Sequence, residues 1–305
     1  MSTFSGPISL PSTSLHITLT HPPFQNPHAT TPLIIFESGS GTPAQWFAPL
    51  ARLLSLYARV LHYSRAGLGQ SGPSTLARSA ANMASELVGA LQTLRVEGPY
   101  VLVAHSYGCV IARETLALLG KEVHGAVFVE GNTPRSLREL ALPKEAVEVF
   151  AGLDYLSVVG LRDEHVCTEE EWEGMVGAGG YDSPAAAAEA ELFLHSARVL
   201  EAKKQVQRQV LGEWPVTVIR GNAGRDIRRL QNAARRKGKG TVEQHRRVDA
   251  WRERFEALDE ELQRTQMGLS RRAKFVQAMR SGHHVHVTEP ELVVEAILGI
   301  LKTAS

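Results

Sequence analysis

The stretch Tyr100-Val101-Leu102-Val103-Ala104-His105-Ser106-Tyr107-Gly108 decides the fold. The apolar run from Tyr100 to Ala104 reads as a short buried strand, and Cys109 to Leu119 continues with helical character. A serine lodged between strand and helix, with glycine two residues on, marks a tight turn that holds a hydroxyl out at the top of a sheet. Small neighbours let the helix pass close to the strand. Short patterns of this kind recur by chance, so the rest of the chain must agree with it.

Working outward, the first half alternates strand-like and helix-like segments. Leu15 to Thr20 alternates apolar and polar residues, as an edge strand does. Leu33 to Phe36 is a buried strand closed by Ser38-Gly39-Ser40-Gly41, and Trp46 to Leu56 has helical spacing. Arg59 to Tyr63 is the next strand, ending in Arg65-Ala66-Gly67-Leu68-Gly69. Ser79 to Leu94 is a helix with Met83, Leu87, Leu91 and Leu94 on one face, and Gly125 to Glu130 is the strand after the elbow helix. Continuous apolar strands separated by helices imply a mostly parallel sheet covered on both faces.

The rhythm breaks after Glu130. Residues 131–212 read as mostly helical, including the alanine-rich stretch from Ser183 to Leu211. An insertion there predicts a helical lid after the sixth strand, with residues 1–130 and 213–305 as the core. Val216 to Arg220 resumes the sheet. A second, arginine-rich helical excursion spans residues 222–270. Lys274 to Ala278 is the last strand, and Glu289 to Leu301 closes the chain as a helix.

The bulk properties narrow the function. A chain of 305 residues with 43% hydrophobic and 21% charged residues suits a globular α/β protein with one large core. A formal net charge of +1 gives no global case for nucleic acid or membrane. Two distant cysteines, Cys109 and Cys167, form neither a disulfide framework nor a metal spacing. Met1 to Pro11 lacks a signal-peptide pattern, Lys302 to Ser305 is no address signal, and no apolar run reaches membrane-span length. The expectation is a soluble cytoplasmic protein without cofactor or metal.

Four landmarks now fall in order: Ser38-Gly39-Ser40-Gly41 with Trp46 after it, Tyr63 to Ser71, Ser106 at its turn, and Ser281-Gly282-His283 followed by Glu289-Pro290. Over nearly its whole length the chain resembles the α/β-hydrolase superfamily. The resemblance implies Ser106 as nucleophile and His283 as its base. His284 and His286 are rivals by proximity, but the family histidine follows the glycine directly; both are read as loop packing, and His105 as a structural ring beneath the elbow. The third group is an acid that fixes the imidazole. Glu130, ending an apolar strand, is the preferred acid, and some haloalkane dehalogenases of this fold carry a glutamate there. Asp226 is the alternative. It follows the later strand, where most members place the acid, but sits five residues after Gly221 and opens a helix that an acidic residue could simply cap. The resemblance also assigns the backbone amides of Tyr107 and Ser40 to the oxyanion hole. Ser38 stands where many members have histidine, and Ser64 where aspartate is common.

The expected activity is serine hydrolysis of an ester, thioester or lactone of a small apolar metabolite through an acyl-enzyme. Two alternatives stay open: a non-hydrolytic lyase or cyclase of metabolite tailoring, and a small-molecule sensor with little turnover. The turn Tyr63 to Ser71 and the long second excursion resemble accessory hydrolases of fungal natural-product pathways. Acidic residues interleave the excursion's arginines, and Trp251, Phe255, Leu258 and Leu262 keep helical spacing. That pattern reads as an amphipathic helix packed on the body. Docking of an acidic carrier or a second copy through the arginine-rich helices is the lesser alternative, and nucleic acid the least.

Overall fold

The computed structural model describes residues 2–23, 31–180 and 182–304. Eight strands form one sheet in the order β1-β2-β4-β3-β5-β6-β7-β8. They are β1 (Ser2–Ser9), β2 (Ser14–His21), β3 (Leu33–Glu37), β4 (Arg59–Tyr63), β5 (Tyr100–His105), β6 (Val123–Val129), β7 (Val216–Arg220) and β8 (Ala273–Gln277). The pairs β1–β2 and β2–β4 are antiparallel, and every other pair is parallel. β1 has no counterpart in the sequence reading. It carries Gly6 and Pro7 and is exposed along most of its length, so no apolar pattern announces it.

The central strands β3 and β5 are apolar along all but their last residues, Glu37 and His105, because both faces of the sheet are covered. Leu33, Ile35, Leu102, Ala104, Ala126 and Phe128 face one core. Their neighbours Ile34, Phe36, Val101, Val103, Val127 and Val129 face the other. Burying one of the Leu, Ile, Val or Phe side chains contributes about 1.5–3 kcal/mol. On the second face lie α1 (Ala48–Leu54), through Leu50 and Leu54, and the C-terminal helix. On the first lie α2 (Ala80–Thr93) and α3 (Gly108–Leu119), through Leu87, Leu91, Ala112 and Leu116. Ser79 caps α2 by accepting from the Asn82 amide at 3.3 Å, a contact worth about 1 kcal/mol.

Between β6 and β7 the described residues form seven α-helices: α4 (Pro134–Glu139), α5 (Lys144–Phe150), α6 (Tyr155–Val158), α7 (Leu161–Glu164), α8 (Glu169–Gly177), α9 (Pro184–Glu191) and α10 (Phe193–Ala202). The alanine-rich stretch is not one helix. It breaks at Leu192 and ends at Ala202, and residues 204–211 turn back toward β7. Between β7 and β8 lie α11 (Ala223–Arg236) and α12 (Val242–Arg264). After β8 come α13 (Val285–Thr288) and α14 (Pro290–Ala304). No helix among the described residues is long and apolar enough to cross a membrane.

The arginines of α11 and α12 meet acids close by. Arg225 and Arg229 pair with Glu164, Arg228 with Glu256, and Arg235 with Asp249. These helices also pack against α5 and α6, so the second excursion joins the insert above the sheet.

Candidate active site

The sharp turn after β5 places Ser106 in left-handed backbone, with φ of 55°. A non-glycine residue there stores roughly 1–3 kcal/mol of strain, which the surrounding bonds must hold. The Ser106 amide donates to the Val129 carbonyl at 3.1 Å, and its carbonyl accepts from the amides of Cys109 at 3.1 Å and Asn132 at 3.0 Å. The elbow is therefore tied to the end of β6. Gly108 is required by close approach, since a Cβ on it would lie 2.4 Å from the Glu37 carbonyl oxygen and 2.5 Å from that of Ser38. Only glycine lets α3 start against the end of β3.

Glu130 leaves β6 in the same left-handed region, with φ of 48°. Its carboxylate Oε2 lies 3.1 Å from His283 Nδ1. The other oxygen, Oε1, accepts from the Gly221 amide at 2.6 Å and from Gln263 Nε2 at 3.1 Å. With its side chain 1% exposed, these contacts offset the cost of burying the charge.

Asp226 meets the same histidine elsewhere. Its Oδ2 accepts from the His283 backbone amide at 2.8 Å, and Oδ1 accepts from Arg225 Nε at 3.1 Å. It is not the cap of α11: Asn222 is, accepting from the Arg225 amide at 2.9 Å. The sequence pattern Ser281-Gly282-His283 follows from this contact. A Cβ on Gly282 would lie 2.0 Å from Asp226 Oδ2, so the loop backbone rests directly on the carboxylate. Glu289 holds the loop's other side, accepting from the Ser281 amide at 2.7 Å and its hydroxyl at 2.6 Å.

Burial alone would lower the proton affinity of His283. The bond and charge of Glu130, with Asp226 and Asp259 beyond, outweigh it and hold the imidazole above its ordinary value. Burial, and the charge of the neighbouring imidazoles, push His105, His284 and His286 well below the imidazole range. His105 Nε2 donates to the His283 carbonyl at 2.9 Å, and His284 Nε2 lies 3.0 Å from the Tyr155 hydroxyl. The rings of His105 and His286 sit 4.1 Å apart, and His286 also packs on Phe47. One ring nitrogen from each of His105, His284 and His286 lies within 4.8 Å of the other two, so among the described residues these three are close enough to share a metal ion. The three rings meet at tilted or edge-on angles of 40–61° beside His283.

Ser106 and His283 line two adjoining cavities. The larger, about 790 Å³, is bounded by Glu130 and Asp226 and walled by apolar side chains from α4, α5, α10 and α11, among them Leu137, Phe150, Phe193 and Leu230. The smaller, about 220 Å³, is bounded by Gly39, Ser40, Ala186 and Ala190. Among the described residues no hydrogen bond joins the Ser106 and His283 side chains; Ser106 Oγ lies 3.5 Å from Asn132 Oδ1. The Ser38–Gly41 loop stands beside the serine, where a Cβ on Gly39 would lie 3.3 Å from Ser106 Cβ. The amides of Ser40 and Tyr107 have no hydrogen-bond partner among the described residues. A roomier crevice of about 910 Å³ between β8 and α14 contains none of these groups.

Two parts of the site escaped the sequence reading. Trp251, Phe255, Asp259 and Gln263, every fourth residue of α12, form one stripe along the larger cavity. Their mixture of aromatic and polar types at fixed spacing was the available signal. Glu189 of α9 is wholly buried against the loop containing Ser40, and nothing local in its alanine-rich segment marks it.

Fold and site geometry together define an α/β-hydrolase arrangement, with a serine at an elbow and a histidine after the last strand. Residues 34–296 match the alpha/beta hydrolase family, and the chain belongs to it. It is 36% identical over 299 residues to an AB hydrolase superfamily protein of Gibberella zeae, covering 94% of this chain and 91% of that one. Among solved structures it resembles a thermophilic esterase from Thermogutta terrifontis, with a TM-score of 0.61, 15% identity and 98% coverage of both chains. It also resembles a haloalkane dehalogenase loop variant from Bradyrhizobium elkanii, with a TM-score of 0.64, 13% identity, and 99% and 97% coverage. At such identities these structures share the fold alone.

Proposed function

We propose that this protein is a serine hydrolase that cleaves an ester, thioester or lactone of a small apolar metabolite through an acyl-enzyme. One observation carries the reading: His283, held by Glu130 at Nδ1, shares a largely apolar cavity with the strained Ser106. In that reading His283 Nε2 takes the hydroxyl proton as Ser106 Oγ attacks the substrate carbonyl. The amides of Tyr107 and Ser40 stabilise the oxyanion. His283 then returns the proton to the leaving group, and water releases the acyl group by the same steps in reverse. The fixed Nδ1 contact keeps the tautomer whose Nε2 lone pair faces the cavity. The insert between β6 and β7 serves as the lid, supplying the apolar walls that bind the acyl part.

The test is labelling with a fluorophosphonate followed by assay on p-nitrophenyl esters. The expected result is rapid labelling at Ser106 and turnover of the esters. Labelling without release of acid or alcohol from any ester moves the function to lyase or cyclase chemistry. No labelling of folded protein removes the activated serine and favours the sensor.

A further inference from the structure

The loop that carries the Ser40 amide is bound to the helical insert through a buried ion cluster. Arg65, in the turn after β4, is 1% exposed, and Glu189, on α9, is 0% exposed. Arg65 Nη1 donates to Glu37 Oε1 at 2.9 Å and to the Ser38 carbonyl at 2.7 Å. Its Nη2 donates to the Gly39 carbonyl at 2.6 Å and to Glu189 Oε2 at 3.0 Å, and its Nε donates to Glu189 Oε1 at 2.8 Å. Glu189 Oε2 also accepts from the Ser40 hydroxyl at 3.1 Å and the Gly41 amide at 2.9 Å. The second Glu37 oxygen accepts from the Tyr63 hydroxyl at 2.5 Å.

Packing alone does not call for this arrangement. A buried ion pair is often no better for stability than apolar side chains of similar volume, so the cluster needs a reason beyond holding α9 down. The bonds themselves supply one. Arg65 grips the carbonyls of Ser38 and Gly39, just before the Ser40 amide, and Glu189 grips the hydroxyl of Ser40 and the amide after it. The peptide groups on both sides of one N–H are thereby fixed. α9 also contributes Ala186 and Ala190 to the small cavity over Ser106.

We propose that Glu189 and Arg65 are positioning residues for the oxyanion hole, and that the hole is complete only when α9 is seated. This inference rests on the serine-hydrolase reading. Neither residue touches substrate; both act through the Ser40 amide. The insert then has a second task besides walling the cavity, because its docking and the aim of an oxyanion donor are one event.

The experiment compares wild type with Glu189→Met, which removes both Glu189 carboxylate oxygens at similar volume. Fluorophosphonate labelling rate at Ser106, kcat and KM on a p-nitrophenyl ester, and the melting temperature are measured together. Misaiming one oxyanion donor predicts labelling and kcat slower by roughly a hundredfold, with KM within a few-fold of wild type. A purely structural role lowers the melting temperature but leaves the folded fraction labelling at the wild-type rate, and that result overturns the inference. Where Glu189→Met does not fold, Ser40→Ala decides. It keeps the Ser40 amide and removes only the hydroxyl contact, so several-fold slower labelling is expected and an unchanged rate overturns the inference. Wild-type protein that neither labels nor turns over esters removes the hydrolase reading and this inference with it. A labelling wild type with an equally fast Glu189→Met removes the positioning role alone.

Discussion

Glu130, at the end of β6, and Asp226, in the first turn of α11, approach the same histidine and do different things there. Glu130 meets the ring at Nδ1, while Asp226 meets the main chain at the amide. A ring contact bears on the tautomer and charge of the imidazole; an amide contact bears on where the loop sits. The lesson is that strand position alone does not decide which carboxylate meets the imidazole ring. Asp226 follows the strand where the resemblance places the acid, yet the length of the turn after Gly221 brings it under the loop backbone, and the strained bend at Glu130 delivers the other carboxylate to the ring.

On the proposed mechanism the largest effect is expected at Ser106. Ser106→Ala should lower kcat by roughly a millionfold, since triad members act as a unit. Steady-state turnover of a p-nitrophenyl ester checks this, and wild-type turnover in the variant removes the nucleophile assignment. Glu130→Gln comes next, with an expected loss of roughly ten-thousandfold in kcat. It also sharpens the comparison through pH. His283 is held above the ordinary imidazole value of 6.5 by Glu130 against the effect of burial. Only the neutral ring accepts the serine proton, so kcat/KM should rise with pH through a value above 6.5. Removing the Glu130 charge should move that acid limb to lower pH in the residual activity. A limb that stays in place would assign the raised affinity to another group.

Asp226→Asn keeps an acceptor for the His283 amide, so a loss of roughly tenfold or less is expected. A loss as deep as that of Glu130→Gln would reverse the roles of the two acids. The smallest effect is expected at the cavity wall. Phe255→Ala should raise KM for long-chain esters by roughly ten- to a hundredfold and leave acetate esters nearly unchanged. An equal change for both chain lengths would take α12 out of substrate binding.

What could be read from the chain follows the range of the interactions involved. The strands β3 to β7 announce themselves because both faces are buried, and Ser106 and His283 because their turns demand particular neighbours, Gly108 and Gly282. Ser79 to Leu94 marked its helix because a capping serine and one apolar face agree. Strand β1 was silent because an exposed edge needs no apolar pattern. Asp226, the alternative acid, was open to a helix-capping explanation as well, because its contact with the His283 amide spans 57 residues. Trp251 and Phe255 read as packing on the body, and their cavity depends on where α12 crosses the insert. Glu189 and Arg65 are 124 residues apart, and no local spacing relates them.

The most direct measurement on the central claim is peptide mass spectrometry of wild-type protein quenched during turnover of p-nitrophenyl acetate. The account predicts a transient acetyl adduct on the peptide carrying Ser106, absent from Ser106→Ala. Steady ester turnover with no adduct on that peptide, or with the adduct on another residue, would contradict it.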